Sequence, residues 1–233
     1  MKKNILLIGG SYGIGHETVR QLHQSHTVYV ASRTSENLSG LNVHHIPFDV
    51  ATDKLDLTQL PESIDGFAYF PGSINLRPFK GLRPEIFEKD FRINVLSMIQ
   101  VLQDILPKLL ASEQASVVLY STVAVKVGMP FHTSVAAAKG AIEGFAKSLA
   151  AEYAPKLRVN VIAPSLTHTP LADKFLNNDI KKEKAAQRHP LKRAGEATDI
   201  AAMTSFLLGN ESNWMTGQIV GVDGGMSTLN TGN

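Results

Sequence analysis

Short apolar runs alternate with longer helical patterns along this chain, and that alternation limits the folds open to it. Ile5–Ile8, Thr27–Ala31, Val43–Phe48, Phe67–Phe70, Val117–Tyr120, Val159–Ile162 and Ile219–Val222 read as strands. Helical patterns lie between them, around Ile14–Gln24, Pro84–Leu110, Ser134–Tyr153 and Glu196–Leu208. Most of the strand segments lack the in/out alternation of a half-exposed sheet, so both faces must be covered. A repeating β–α order with such strands predicts a doubly wound parallel α/β sheet of about seven strands with helices on both faces. Between Arg33 and Val43 the connection is short and carries Ser35, Asn37, Ser39 and Gly40, which predicts a turn or one stunted helix. The 233 residues suffice for one core, and residues 1–233 read as a single domain.

Charge and cysteine usage then narrow the function. Twenty-three basic against 21 acidic residues leave a net charge of +2, too small a field to collect nucleic acid or an anionic membrane. The absence of cysteine excludes disulfides, thiol catalysis and cysteine-ligated metal, and no metal site is expected; it fits a reducing cytoplasm. The apolar run Ile5–Ile8 is too short for a signal peptide, and no stretch reads as a membrane span of about 20 apolar residues. A soluble, cytoplasmic protein is expected. Residues 171–193 differ in composition: Lys174, Lys181, Lys182, Lys184, Arg188, Lys192 and Arg193 face only Asp173, Asp179 and Glu183, a local excess of +4. This reads either as a solvated helical surface or as a substrate lid.

The first strand runs directly into Gly9-Gly10-Ser11-Tyr12-Gly13-Ile14-Gly15 and then a helix. Such a loop lets backbone approach a pyrophosphate and aims the helix N-terminus, with its free N–H groups and positive dipole end, at the phosphates. The second strand ends at Arg33, where an acidic residue would hold a ribose 2′-hydroxyl and an arginine favours a 2′-phosphate. NADP(H) is therefore preferred over NAD(H).

With these motifs in place, the chain resembles the short-chain dehydrogenase/reductase family over nearly its whole length. Gly9-x-x-x-Gly13-x-Gly15 matches the family's glycine pattern, with Ile8 where a threonine is usual. Asp49-Val50 matches the pair after the third strand that contacts adenine, and Asn94 the asparagine of the central helix. Residues 158–164 followed by Thr169-Pro170 resemble the segment at the nicotinamide end, and residues 190–196, 216–218 and 222–225 the C-terminal third. The resemblance implies a Rossmann-type fold. It also implies cofactor binding by Gly9, Ser11, Tyr12, Gly13, Ile14, Arg33, Asp49, Val50, Gly72, Lys139, Pro164, Thr167 and Thr169. Two segments depart from it. Tyr69-Phe70-Pro71-Gly72 replaces Asn-Asn-Ala-Gly, and Ser165 replaces a glycine.

A third departure falls on the chemistry. Family members use a tyrosine as proton donor, a lysine four residues on to help lower its pKa, and a serine to orient the substrate oxygen; the i, i+4 spacing puts the first two on one helical face. Here Lys139 is present, Thr122 occupies the serine position, and Val135 stands where the tyrosine would be. Asn94, Thr122 and Lys139 are thus the catalytic candidates. The proton would come from a water held among them, or from His132, Tyr120 or His168. The implied function is NADP(H)-dependent hydride transfer with a small carbonyl or alcohol substrate through a divergent donor. The alternative is a catalytically impaired NADP(H)-binding sensor or partner protein. Family analogy also suggests a homodimer or homotetramer formed through the helices at 84–110 and 134–153.

Overall fold

The computed structural model describes residues 2–231. Seven strands form one parallel sheet: β1 (Asn4–Ile8), β2 (Thr27–Ser32), β3 (Val43–Pro47), β4 (Gly66–Tyr69), β5 (Ala115–Tyr120), β6 (Leu157–Pro164) and a C-terminal strand at Ile219–Val222. Their spatial order is β3-β2-β1-β4-β5-β6 and then the C-terminal strand. This is the Rossmann-type sheet expected, each predicted strand differing by no more than two residues at either end. Order reverses at β1, where Ile5 pairs with Val28 of β2 on one side and with Gly66 of β4 on the other. A crevice therefore opens at the carboxyl ends of these strands, the usual ligand site of such sheets.

Consecutive residues of a strand serve opposite faces, and β1 shows why its run has no polar break. Leu6 and Ile8 join a core with Phe67, Val117 and Leu119, covered by α3 (Ser97–Leu110) and α5 (Thr133–Tyr153). Ile5 and Leu7 join a second core with Val28, Val30 and Val118, covered by α1 (Gly13–Leu22) and α8 (Ala197–Leu208).

The stretch expected as one helix over 84–110 is instead α2 (Pro84–Phe91), a π-helical turn at Arg92–Leu96 and then α3. Although no segment was expected to approach a membrane span, Pro84–Leu110 is long enough for one and contains an 18-residue stretch apolar enough, at a mean hydropathy of 1.2. Its apolar side is already occupied in the fold, because Met98, Val101, Leu102, Ile105 and Leu109 pack into the first core.

Between Arg33 and Val43 only a 3-10 turn forms, at Glu36–Leu38, as the short connection requires. Two features lay outside the sequence reading. One is the short helix α4 (Val123–Val127), capped by Thr122. The other is a parallel pair, β7 (Thr167–His168) and β8 (Gly195–Glu196), in which Thr167 faces Gly195 and His168 faces Glu196; the C-terminal strand is thus β9. That pair closes the two ends of the basic segment, whose middle folds into α6 (Asp173–Leu176) and α7 (Asp179–Arg188).

Candidate active site

A cleft of about 1180 Å³ lies along the carboxyl ends of the strands. Its floor near β1 is the glycine loop. Gly13 has φ +55°, a left-handed conformation that side-chain-bearing residues seldom adopt, and a Cβ on Gly15 would lie 2.5 Å from the Gly9 carbonyl oxygen. Helix α1 can therefore start against β1 only with glycines here. Tyr12, its N-cap, makes no side-chain capping bond and no acid lies in the first turn, so the leading N–H groups have no side-chain partner. Thr34 Oγ1 donates to Ser11 Oγ at 3.2 Å and Asn37 Nδ2 to the Ser11 carbonyl at 3.1 Å, which tie the loop after β2 to the glycine loop. Beside them, Arg33 is exposed and makes no hydrogen bond or ion pair among the described residues.

Every expected cofactor-binding residue lines this one cleft: Gly9, Ser11, Tyr12, Gly13, Ile14, Arg33, Asp49, Val50, Gly72, Lys139, Pro164, Thr167 and Thr169. Thr122 and Val135 line it too. Of the residues expected to bind cofactor and of the three catalytic candidates, Asn94 alone does not, since it is fully buried beside Gly72. Its Nδ2 donates to the Asp90 carbonyl at 2.8 Å and to Ser73 Oγ at 3.0 Å, while its Oδ1 is buried without a partner. A Cβ on Gly72 would sit 3.0 Å from that Oδ1 and 3.5 Å from Lys139 Nζ. Gly72 thus leaves room beside both polar groups, and this explains why only the glycine of the loop matches the family. Lys139 Nζ donates to the Tyr120 carbonyl at 3.0 Å, and burial pulls its pKa down to about 8.

Hydroxyls at the end of β5 divide their work. Ser121 is buried and donates to Glu143 of α5, whereas Thr122 Oγ1 accepts from Ala124 N at 3.3 Å and keeps its own hydrogen for the cleft. Val135, 5% exposed, sits on the wall one helical turn before Lys139.

Candidate proton donors separate clearly. Tyr120 turns its hydroxyl into the second core, hydrogen-bonded to Thr204 Oγ1 at 2.6 Å, and burial drives its pKa far up. His168 is exposed, lies 3.9 Å from Glu196 and does not line the cleft. Neither can serve. His132 does line it; its Nδ1 lies 2.7 Å from the Pro130 carbonyl, which can only accept, so Nδ1 carries the hydrogen.

The enoyl-(acyl carrier protein) reductase family profile, a branch of the short-chain dehydrogenases/reductases, matches residues 9–227. The chain belongs to the short-chain dehydrogenase/reductase family. Among relatives of this short-chain dehydrogenase/reductase, L-xylulose reductase of Bos taurus is 30% identical over 96% of the chain and 96% of its own length. The 3-oxoacyl-(acyl-carrier-protein) reductase of Thermotoga maritima is 29% identical, covering 96% and 97%. The crystal structure of levodione reductase superposes with a TM-score of 0.87 at 26% identity, covering 98% of both chains. These relatives are oxidoreductases.

The contacts of four residues in this short-chain dehydrogenase/reductase were not anticipated. Asp90, fully buried, accepts from Ser73 Oγ at 2.5 Å, Asn75 Nδ2 at 2.6 Å and Ser134 Oγ at 2.6 Å. Tyr69, where the family has asparagine, donates to the Ile93 carbonyl at 2.8 Å and so meets the π-helical turn from the sheet side. Pro71 packs on the glycine loop, 3.1 Å from where a Gly9 Cβ would be. The altered loop is thereby built into this protein's own packing. Ser165, replacing a glycine, bonds His189 Nε2 at 2.7 Å. Nothing in the sequence separates Asp90 from Glu85 and Glu88 of the same helix, because its burial is set by Ser73, Asn75 and Ser134 from distant segments.

Proposed function

We propose that this protein is an NADP(H)-dependent oxidoreductase that transfers a hydride between nicotinamide and a small carbonyl or alcohol substrate, with a divergent proton donor. The observation that carries the proposal is the placement of Lys139 Nζ and the unpartnered Asn94 Oδ1 close to Gly72, at the wall of the cleft that also holds the glycine loop. A buried oxygen without a partner costs free energy unless a ligand or water completes it. The residues fit a dinucleotide: Gly9, Ser11, Tyr12, Gly13 and Ile14 at its pyrophosphate, Arg33 at a 2′-phosphate, Asp49 and Val50 at adenine, and Gly72, Pro164, Thr167, Thr169 and Lys139 toward the nicotinamide. NADP(H) bound there would supply or accept the hydride.

The chain's own residues would manage the proton. Negative charge developing on a carbonyl oxygen needs a donor within hydrogen-bond reach. Thr122 orients that oxygen, and the Lys139 ammonium, still protonated at neutral pH, holds a proton for relay through a water shared with Asn94. His132, whose Nδ1–H is held by Pro130, would replace the water only in its imidazolium form, donating from Nε2. Small residues on α5, among them Ala137 and Gly140, together with Phe91 and Leu96, 38% and 42% exposed, support self-association as a homodimer or homotetramer.

Val135 favours a second reading, an NADP(H)-binding sensor or partner protein without turnover. A panel of aldehydes and ketones followed by NADPH absorbance separates the two. An oxidoreductase consumes NADPH with at least one of them and loses that activity in Lys139→Ala. Saturable NADPH binding with no turnover across the panel supports the sensor.

A further inference from the structure

Helix α7 sorts its charge by face. Lys181, Lys184 and Arg188 line the cleft at i, i+3 and i+7, with buried Ala185 on the same side. The helix's two acids, Asp179 and Glu183, do not line it, and Glu183 accepts from Gln187 Nε2 at 3.0 Å instead. Lys174 of α6 adds a fourth cation to the same wall, donating to the Ile74 carbonyl at 3.1 Å across the cleft.

None of these cations is paired with a carboxylate among the described residues. Lys181 Nζ donates to the Lys174 carbonyl at 2.8 Å and to Asn177 Oδ1 at 2.9 Å, and Lys184 and Arg188 make no hydrogen bond or ion pair with any described residue. Among the described residues, the one acid lining the cleft is Asp49, just after β3. Leu76, Leu171 and Phe175 give the same cleft an apolar lining. The wall is also anchored: His189, 2% exposed, bonds both Ser165 Oγ and the Ala185 carbonyl, and the β7–β8 pair holds both ends of the segment.

A charge-sorted helix in a cleft with an apolar lining complements a ligand with an apolar body and an anionic end. We propose that the cleft face of α6 and α7 binds the anionic end of the substrate, so that the substrate class is carbonyl compounds carrying a carboxylate or phosphate. This rests on the oxidoreductase reading for the reacting carbon, whereas the anion recognition is a binding property measurable without turnover.

Two matched pairs of probes test it: 4-oxopentanoate against its methyl ester, and 4-hydroxybutan-2-one phosphate against the free alcohol. Affinities are measured by ligand-observed NMR on the whole protein, free and with NADP⁺, in wild type, Lys181→Glu and Lys184→Glu/Arg188→Glu. The expected result is an anionic member that binds at least about fivefold tighter, the scale of one exposed charge contact, with the preference weakened by salt. The charge-reversed variants lose the preference while their NADP⁺ affinity stays unchanged. A preference in one pair alone tells carboxylate from phosphate recognition. No preference in either pair, or one that survives charge reversal, overturns the proposal. So does an equal loss of NADP⁺ affinity, because the cations would then serve cofactor phosphates. Failure of the wild type to bind NADP⁺ sinks the cofactor reading separately, since anion preference is also read on the free protein.

Discussion

Lys139 donates its ammonium to the main-chain carbonyl of Tyr120 at 3.0 Å, joining α5 to the end of β5 below the reacting position. Burial lowers its pKa from 10.5 to about 8. Between these values the unfolded chain binds the proton more tightly than the folded one, so this group's contribution to stability rises with pH. Below the folded value the buried charge opposes folding in full, and above 10.5 the penalty is gone. Urea unfolding of wild type and Lys139→Met across pH 7 to 10.5 should show wild type gaining on the variant over roughly pH 8 to 10.5. A constant difference over that range would mean the amine is not depressed.

Val135→Tyr places a phenol on the cleft wall, one turn before Lys139 and in the same cleft as Thr122. If the missing acid limits turnover, carbonyl reduction should rise by about 10²- to 10⁴-fold with NADPH affinity unchanged. No gain in a folded variant that still binds NADPH would show that the rest of the constellation is not arranged for this chemistry.

Arg33 has no partner among the described residues and lines the cleft at the end of β2. Arg33→Asp should weaken NADPH by tenfold or more, on the order of one lost charge-assisted contact and one added repulsion, while NADH changes little or tightens. Fluorescence titration with both cofactors checks this, and equal losses would remove Arg33 from cofactor selection.

Much of this fold is legible in the chain because buried parallel strands leave unbroken apolar runs, as at Ile5–Ile8, and the glycine loop marks where the first of them turns. The glycine-loop residues of the cleft are legible for a related reason: their types are set by local backbone needs, such as the positive φ of Gly13. Other features depend on contacts between distant segments and have no local signature. The π-helical turn holding Asn94 lies inside an ordinary helical pattern, and the Tyr69–Ile93 bond spans 24 residues. Helix α7 was visible only as a basic composition, since which face meets the cleft is decided by tertiary packing around Ala185 and His189.

The same distinction makes Asp90 the sharpest test of the structure beneath the site. Its carboxylate is fully buried with no ion-pair partner among the described residues, held by hydrogens from Ser73, Asn75 and Ser134, which come from the loop after β4 and from the start of α5. Ser73 in turn accepts from Asn94, so the network reaches the asparagine beside Gly72. An apolar replacement orphans three buried or half-buried donors, and each such group costs about 1 to 3 kcal/mol. Asp90→Leu should therefore lose about 3 kcal/mol or more in urea unfolding. Asp90→Asn keeps one acceptor but turns an NH₂ group toward hydroxyls that can rotate to accept, and should lose less. Ser134→Ala removes a single donor and should cost least, about 1 kcal/mol. That ranking separates a hydrogen-bond network from a simple packing site, where leucine would be tolerated best and the serine variant would be silent.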